Sequence, residues 1–165
     1  MSSERLFHVC KGCGPHVDSI FVSCSKCKRF LVPCGNQKKD QCCHHHRVIF
    51  TDGACSSNGK QGATAGLGIA IGSKGSEQDQ WSIPVDDVVD ANGRRTSQRA
   101  ELLAAIYGLR LVGSHDRDTL CPAERGSKYL YWIIATDSQY VVKGMTEWFD
   151  NWKVRSMLVL SCFLL

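Results

Sequence analysis

A chain of 165 residues, 43% hydrophobic and 22% charged, has the composition of a soluble globular protein with one ordinary domain and a small appendage, which excludes fibrous and wholly disordered classes. Its net charge of +4 permits a polyanionic partner without demanding one. The apolar stretch that closes the chain, Met157–Leu160 with Cys162–Leu165, falls short of the roughly 20 residues needed to span a bilayer, so no membrane partner is expected.

The head comes first. Residues 1–47 hold eight Lys/Arg against three Asp/Glu and seven of the ten cysteines, while residues 48–165 carry a net charge of −1. Met1–Lys11 lacks the apolar core and small-residue cleavage site of a signal peptide, so cytoplasm or nucleus is expected, with thiols reduced. Dense reduced cysteines favour metal over disulfides. Cys10, Cys13, Cys24 and Cys27 form CxxC-x10-CxxC, two turns that can each present two thiolates and together complete a tetrahedral structural Zn²⁺ site, with reduced, unliganded thiols and then redox activity as the alternatives. A segment with so little core would draw much of its folding energy from that metal. Cys34, Cys42, Cys43 and His44–His46 could make a second metal site, but their irregular spacing favours a basic solvated linker. Lys26, Lys28, Arg29, Lys38 and Lys39, with Phe21 and Phe30 interleaved, either hold phosphate backbones or form a merely solvated surface.

After residue 47 the text becomes regular. Val48–Thr51 is a short strand ending at Asp52-Gly53, and Ser56–Gly62 is turn chemistry. Ala65–Ile71 reads as a second strand and Gln80–Val85 as a third, stopped by Pro84 and the acidic loop Asp86–Asp90. Thr96 or Ser97 is an N-cap for a helix over Arg99–Val112, in which Leu102, Ile106 and Leu109 form an apolar stripe and Gly113 is the stop. A polar loop, Ser114–Ser127, leads to the apolar strand Tyr129–Thr136, suited to burial on both faces. Asp137-Ser138 then opens a second helix whose Tyr140, Val141 and Trp148 face inward. The order is βββαβα: three antiparallel strands, then a crossover helix to a strand parallel to the first.

Three carboxylates stand at telling places: Asp52 at the end of the first strand, Glu101 in the first turn or so of the helix, Asp137 at the end of the fourth strand. Neighbouring strands one and four would bring Asp52 and Asp137 together, and a helix across the sheet could add Glu101. Such a cluster repels itself unless cations lie between, and Mg²⁺ suits it, taking oxygen ligands and keeping waters for a phosphate to displace. On spacing alone the bland reading competes: Asp52 caps a turn, Asp137 caps a helix, and Glu101 is a solvated helical charge.

The surrounding words are more specific. Phe50-Thr51-Asp52-Gly53-Ala54-Cys55, Thr96-Ser97-Gln98-Arg99-Ala100-Glu101-Leu102-Leu103-Ala104 and Ala135-Thr136-Asp137-Ser138-Gln139-Tyr140-Val141 resemble, in order, three signatures of type 1 ribonucleases H. The resemblance spans about residues 48–152. It implies a ribonuclease H-like α/β fold and Mg²⁺-dependent cutting of the RNA strand of an RNA–DNA hybrid. It makes Asp52, Glu101 and Asp137 the catalytic metal ligands, with Asn58, Ser97, Gln98 and Gln139 contacting the hybrid. Neutral amides and hydroxyls suit a groove that displays 2′-hydroxyls.

The expected division is a basic zinc-binding head (1–47), a partial ribonuclease H-like domain (48–153) and an apolar tail (154–165) that matches no element of the family. The family's basic aromatic segment, fifth strand, histidine loop and fourth carboxylate are not found after Lys153, where the text reads like a retained intron. Turnover is therefore expected to be impaired. The rival readings are a non-catalytic nucleic-acid-binding protein and a non-functional fragment.

Overall fold

The computed structural model describes residues 20–32, 46–73, 79–115 and 131–151. In chain order the elements are β1 (Val22–Ser23), β2 (Phe30–Leu31), β3 (His46–Ser56), β4 (Thr64–Ala70), β5 (Gln80–Pro84), α1 (Ser97–His115), β6 (Tyr131–Ala135) and α2 (Gln139–Lys143), the last running into a π-helical stretch, Gly144–Trp148. They build one mixed sheet with α1 packed across one face. No described helix is long and apolar enough to cross a membrane.

β3 is the axis of the sheet. It pairs antiparallel with β4 from Phe50↔Ala70 to Ser56↔Thr64, and parallel with β6 from His46↔Tyr131 to Phe50↔Ala135. β5 adds antiparallel to β4. At 11 residues β3 is far longer than the Val48–Thr51 strand expected from sequence, so Asp52 lies in mid-strand, not at a strand end. Asp-Gly reads as a turn out of context, but here Gly53 pairs with Leu67 and the strand continues. Tertiary pairing overrides the local signal.

α1 corrects the sequence reading in two ways. Ile106 and Leu109, assigned to the inward stripe with Leu102, are 45% and 43% exposed. The face against the sheet carries small residues instead: Ala100 and Ala104 are buried with Leu67 and Val85, while Val112 packs with Ile49, Ile69 and Ile71. Small side chains let the helix axis approach closely, and Leu103, Tyr107 and Leu111 fill the flanks. A Cβ on Gly108 would stand 3.1 Å from Thr51 and 3.2 Å from Ile49, so a larger stripe has no room. Nor does Gly113 stop the helix, which runs on to His115. At the other end Thr96 is the cap, its Oγ1 accepting from the amide of Arg99 at 3.2 Å.

The described part of the head is stitched into this sheet. Leu31 pairs with Arg47, the Phe30 amide donates to the Ile71 carbonyl at 2.9 Å, and Arg29 bridges Gly72, so the β1–β2 hairpin continues the lane of β4 alongside β3. Phe21 and Phe30 both pack edge-on against Phe50, each with ring centroids 5.2 Å apart. Arg29 is only 4% exposed. These three residues therefore belong to a packed junction rather than to a phosphate-gripping surface. Lys26 and Lys28 are exposed. Lys38, Lys39, Cys34, Cys42, Cys43, His44 and His45 lie outside the described residues.

Candidate functional site

The register of β3 and β6 builds the centre of the site. Phe50 pairs with Ala135, and two residues beyond each partner stand Asp52 and Asp137. β6 ends at Ala135, so Asp137 emerges just past the strand while Asp52 projects from one still in the sheet. α1 brings the third group. Its first turns cross β3 at Gly53, where a Cβ would lie 2.2 Å from the Glu101 nitrogen, so only glycine permits this crossing. Glu101 sits one turn into the helix, slightly deeper than the sequence suggested.

Asp52, Glu101 and Asp137 each offer a carboxylate oxygen, and these oxygens lie within 4.8 Å of one another. The simple capping roles are filled by others. Ser138 caps α2, its side chain accepting from the Val141 amide at 3.4 Å, and the Thr136 hydroxyl accepts from the Ser138 amide at 3.1 Å. Asp137 is left exposed, as is Asp52. Burial pushes the Glu101 carboxyl above the ordinary range, the nearby charges of Asp52 and Asp137 push it further, and a hydrogen bond from the Gly53 backbone opposes them. Glu101 Oε2 is buried and accepts no hydrogen bond among the described residues. A half-buried carboxylate with an idle oxygen, facing two other carboxylates, is the donor set a divalent cation satisfies.

Asp52 and Asp137 also border a hollow of about 960 Å³ on the sheet, lined among others by Phe21, Phe50, Gly68, Ala70, Ser82 and Ala135.

Of the four residues expected to contact nucleic acid, three come together. The amide of Ser97 donates to Asn58 Oδ1 at 2.9 Å, which ties the β3–β4 loop to the start of α1, and Gln98 follows, exposed. Asn58 thus also serves as a helix-end acceptor. Gln139, exposed, opens α2 two residues after Asp137. Sequence reasoning missed Asp90, whose carboxylate is held by Arg99 and Arg95 beside this edge. The only signal was the charge pattern around Asp90 and Arg94-Arg95.

Of the four expected zinc ligands, Cys10 and Cys13 lie outside the described residues. Cys24 is fully buried, and the Cys27 amide points at its sulfur, 3.5 Å away. The Lys28 amide donates to the Cys24 carbonyl at 2.9 Å, and Lys28 takes the left-handed φ of 60° that closes the turn. The turn gathers both cysteines into a tight knuckle.

Comparison with known proteins bears on the whole. A profile of the RNase H family matches residues 44–161. Ribonuclease H of Pseudomonas paraeruginosa is 36% identical over 108 residues, covering 66% of this chain and 56% of that protein. Ribonuclease H1 of Rattus norvegicus is 34% identical over 106 residues, covering 64% of this chain and 30% of that protein. A solved structure of LC9-RNase H1, described as a type 1 RNase H with the type 2 active-site motif, is similar over 70% of this chain and 49% of its own, with 22% identity and a TM-score of 0.40. The chain thus spans little more than half the length of the bacterial relative and less of the others.

Proposed function

The chain belongs to the RNase H family, and on that premise we propose that it carries the metal-binding part of an endoribonuclease that hydrolyses the RNA strand of RNA–DNA hybrids. The observation that carries this reading is the convergence of Asp52, Glu101 and Asp137 to within 4.8 Å from three different elements. A triad of oxygen donors with one buried oxygen unsatisfied fits Mg²⁺, which Asp52, Glu101 and Asp137 would hold. When bound, a pair of such ions supplies an activated water and stabilises the leaving oxygen of the phosphodiester.

The chain's own residues supply placement. Asp52 and Glu101 hold fixed positions on β3 and α1, and Asp137 adds a solvent-facing carboxylate. Asn58, Ser97 and Gln98 form an uncharged edge beside them, chemically suited to 2′-hydroxyls, with Gln139 as a further contact. No protein nucleophile is needed.

The head, residues 1–47, is proposed to bind one structural Zn²⁺ through Cys10, Cys13, Cys24 and Cys27. The buried Cys24, the amide-to-sulfur contact and the closed turn at Lys28 support it. The ribonuclease H-like domain is proposed to span about residues 48–153, within the stretch 44–161 that the family profile matches and with its first strand starting at His46. Cytoplasm or nucleus is the proposed location.

The deciding experiment incubates a labelled RNA–DNA hybrid with Mg²⁺ and either this chain or the chain extended by the family's missing segments. Cleavage of the RNA strand by the extended chain, abolished by Asp137→Asn, supports the reading. No cleavage by a folded, metal-loaded extended chain overturns it.

A further inference from the structure

Asp90 lies in the loop between β5 and α1, apart from the carboxylate triad, with a side chain only 9% exposed. Arg99 takes both its oxygens, Nε to Oδ2 at 2.5 Å and Nη2 to Oδ1 at 2.6 Å. Arg95 Nη1 reaches Oδ2 at 3.5 Å and donates to the carbonyls of Asp90 at 3.0 Å and Gly93 at 2.6 Å. The backbone closes tightly over this carboxylate, since a Cβ on Gly93 would sit 2.0 Å from Asp90 Oδ2. Two-point pairing of arginine with a carboxylate adds directional specificity to its strength.

What matters is where these arginines stand. Arg95 and Arg99 bracket Thr96, Ser97 and Gln98, so this short stretch is strung between two side chains pinned to one carboxylate. The opposite loop latches onto the same frame: the Gly59 amide donates to the Arg95 carbonyl at 2.7 Å, Arg94 Nε donates to the Gly59 carbonyl at 2.8 Å, and Asn58 Oδ1 accepts from the Ser97 amide at 2.9 Å. Neither loop has a strand ladder at this point. Their mutual placement rests on these bonds.

We propose that Asp90 is the positioning residue for the nucleic-acid-reading edge made by Asn58, Ser97 and Gln98. The proposal rests on the hybrid-binding reading above and deepens it. Neutralising Asp90 removes the shared anchor, leaving Arg99 without this carboxylate and Arg95 with only the exposed Asp87 as its counter-charge among the described residues. The loops then drift, while Asp52, Glu101 and Asp137, held by β3, the body of α1 and the end of β6, keep their places. The defect should fall on discrimination of hybrid from DNA duplex more than on metal binding.

The test compares the full chain with Asp90→Asn by hybrid and duplex DNA affinity in Ca²⁺, Mn²⁺ titration, and amide hydrogen exchange. The expected result is a loss of hybrid affinity of about tenfold, the scale of one charge-assisted hydrogen bond, with duplex DNA and Mn²⁺ affinities changed less than about twofold. Exchange at the Ser97 and Gly59 amides should quicken. Asp87→Asn is the contrast: its side chain is 86% exposed against Arg95, and a surface pair of that kind contributes little. Hybrid affinity within about twofold of the parent, or unchanged exchange at Ser97 and Gly59, overturns the proposal. If the parent itself binds no hybrid, the functional reading fails, while the exchange measurement still decides Asp90. Should Asp90→Asn not fold, Arg99→Gln removes the same two-point contact, and unchanged exchange in that variant also overturns the proposal.

Discussion

Asp52 and Asp137 stand side by side because each lies two residues beyond a member of the parallel pair Phe50↔Ala135. The pairing is a register effect, so the shared site depends on β3 and β6 aligning without slip.

Removing one of these carboxylates should therefore act on the metal before the fold. Asp137→Asn is expected to weaken Mg²⁺ or Mn²⁺ binding on the order of tenfold or more, with the melting temperature of the metal-free chain unchanged or raised. Calorimetric titration checks this. Undiminished affinity would remove Asp137 from the ligand set.

Glu101 gives the pH dependence. Its carboxyl is raised in the folded chain, first by burial and then by Asp52 and Asp137, so the folded state binds a proton more readily than the unfolded state. The sign follows: the metal-free chain holds this stability fully below the ordinary carboxylate range and loses it as pH rises through the raised value. Glu101→Gln should stabilise the metal-free chain at neutral pH by about 1 kcal/mol, a gain that disappears in acid. Metal affinity should fall as pH drops through the same window, since proton and cation compete. Thermal melts across pH, with and without Mg²⁺, measure both effects; a Gln variant less stable than the parent at neutral pH would contradict the assignment.

Gly53→Ala tests the crossing of α1 over β3. The added carbon meets backbone at 2.2 and 2.3 Å, which no rotamer change relieves, so the helix must move. A cost of about 3 kcal/mol is expected, with weakened metal binding because Glu101 moves too. Denaturant titration against the parent gives the number, and a neutral outcome would mean that the helix is not seated this closely.

Zinc content tests the head. The purified chain should carry about one Zn²⁺, and Cys24→Ser or Cys27→Ser should lower this sharply. The β1–β2 hairpin shares strand pairing and the Phe21–Phe50–Phe30 cluster with the main sheet, so chelation should also lower the melting temperature of the whole domain. A metal-free chain with an unchanged melt would refute the structural-zinc proposal.

The last prediction concerns turnover. Residues 1–165 followed by a fifth strand, histidine loop and last helix of the family's kind should cleave the RNA strand of a hybrid in Mg²⁺, and Asp137→Asn in that chain should abolish cleavage. Cleavage that survives the substitution would contradict the prediction.

The convergence of the three carboxylates was legible because each sits in a run of specific neighbours, Thr51-Asp52-Gly53, Arg99-Ala100-Glu101 and Thr136-Asp137-Ser138. The packing face of α1 was not. Leucine and isoleucine at helical spacing ordinarily point to the core, yet Ile106 and Leu109 are exposed and the small residues Ala100, Ala104 and Gly108 take the inner line. Both stripes have helical period, so periodicity cannot choose between them; the choice is made by Ile49, Thr51 and Ile69 standing up from the sheet. Asp90 was hidden for a related reason. Its partners lie across a turn, and a loop acid five and nine residues from two arginines looks like any solvated charge until the chain closes around it.

β3 pairs with β2, β4 and β6 and lies under α1, whereas Asp137 follows the last ladder pair of β6. The two halves of the proposed metal site therefore live on different clocks. Amide protons along the centre of β3 should be among the last to exchange with deuterium, and those just after Ala135 among the earlier ones. Asp52 is then a stationary jaw and Asp137 the one that adjusts, so an arriving cation would meet one fixed oxygen donor and settle its grip by moving the other.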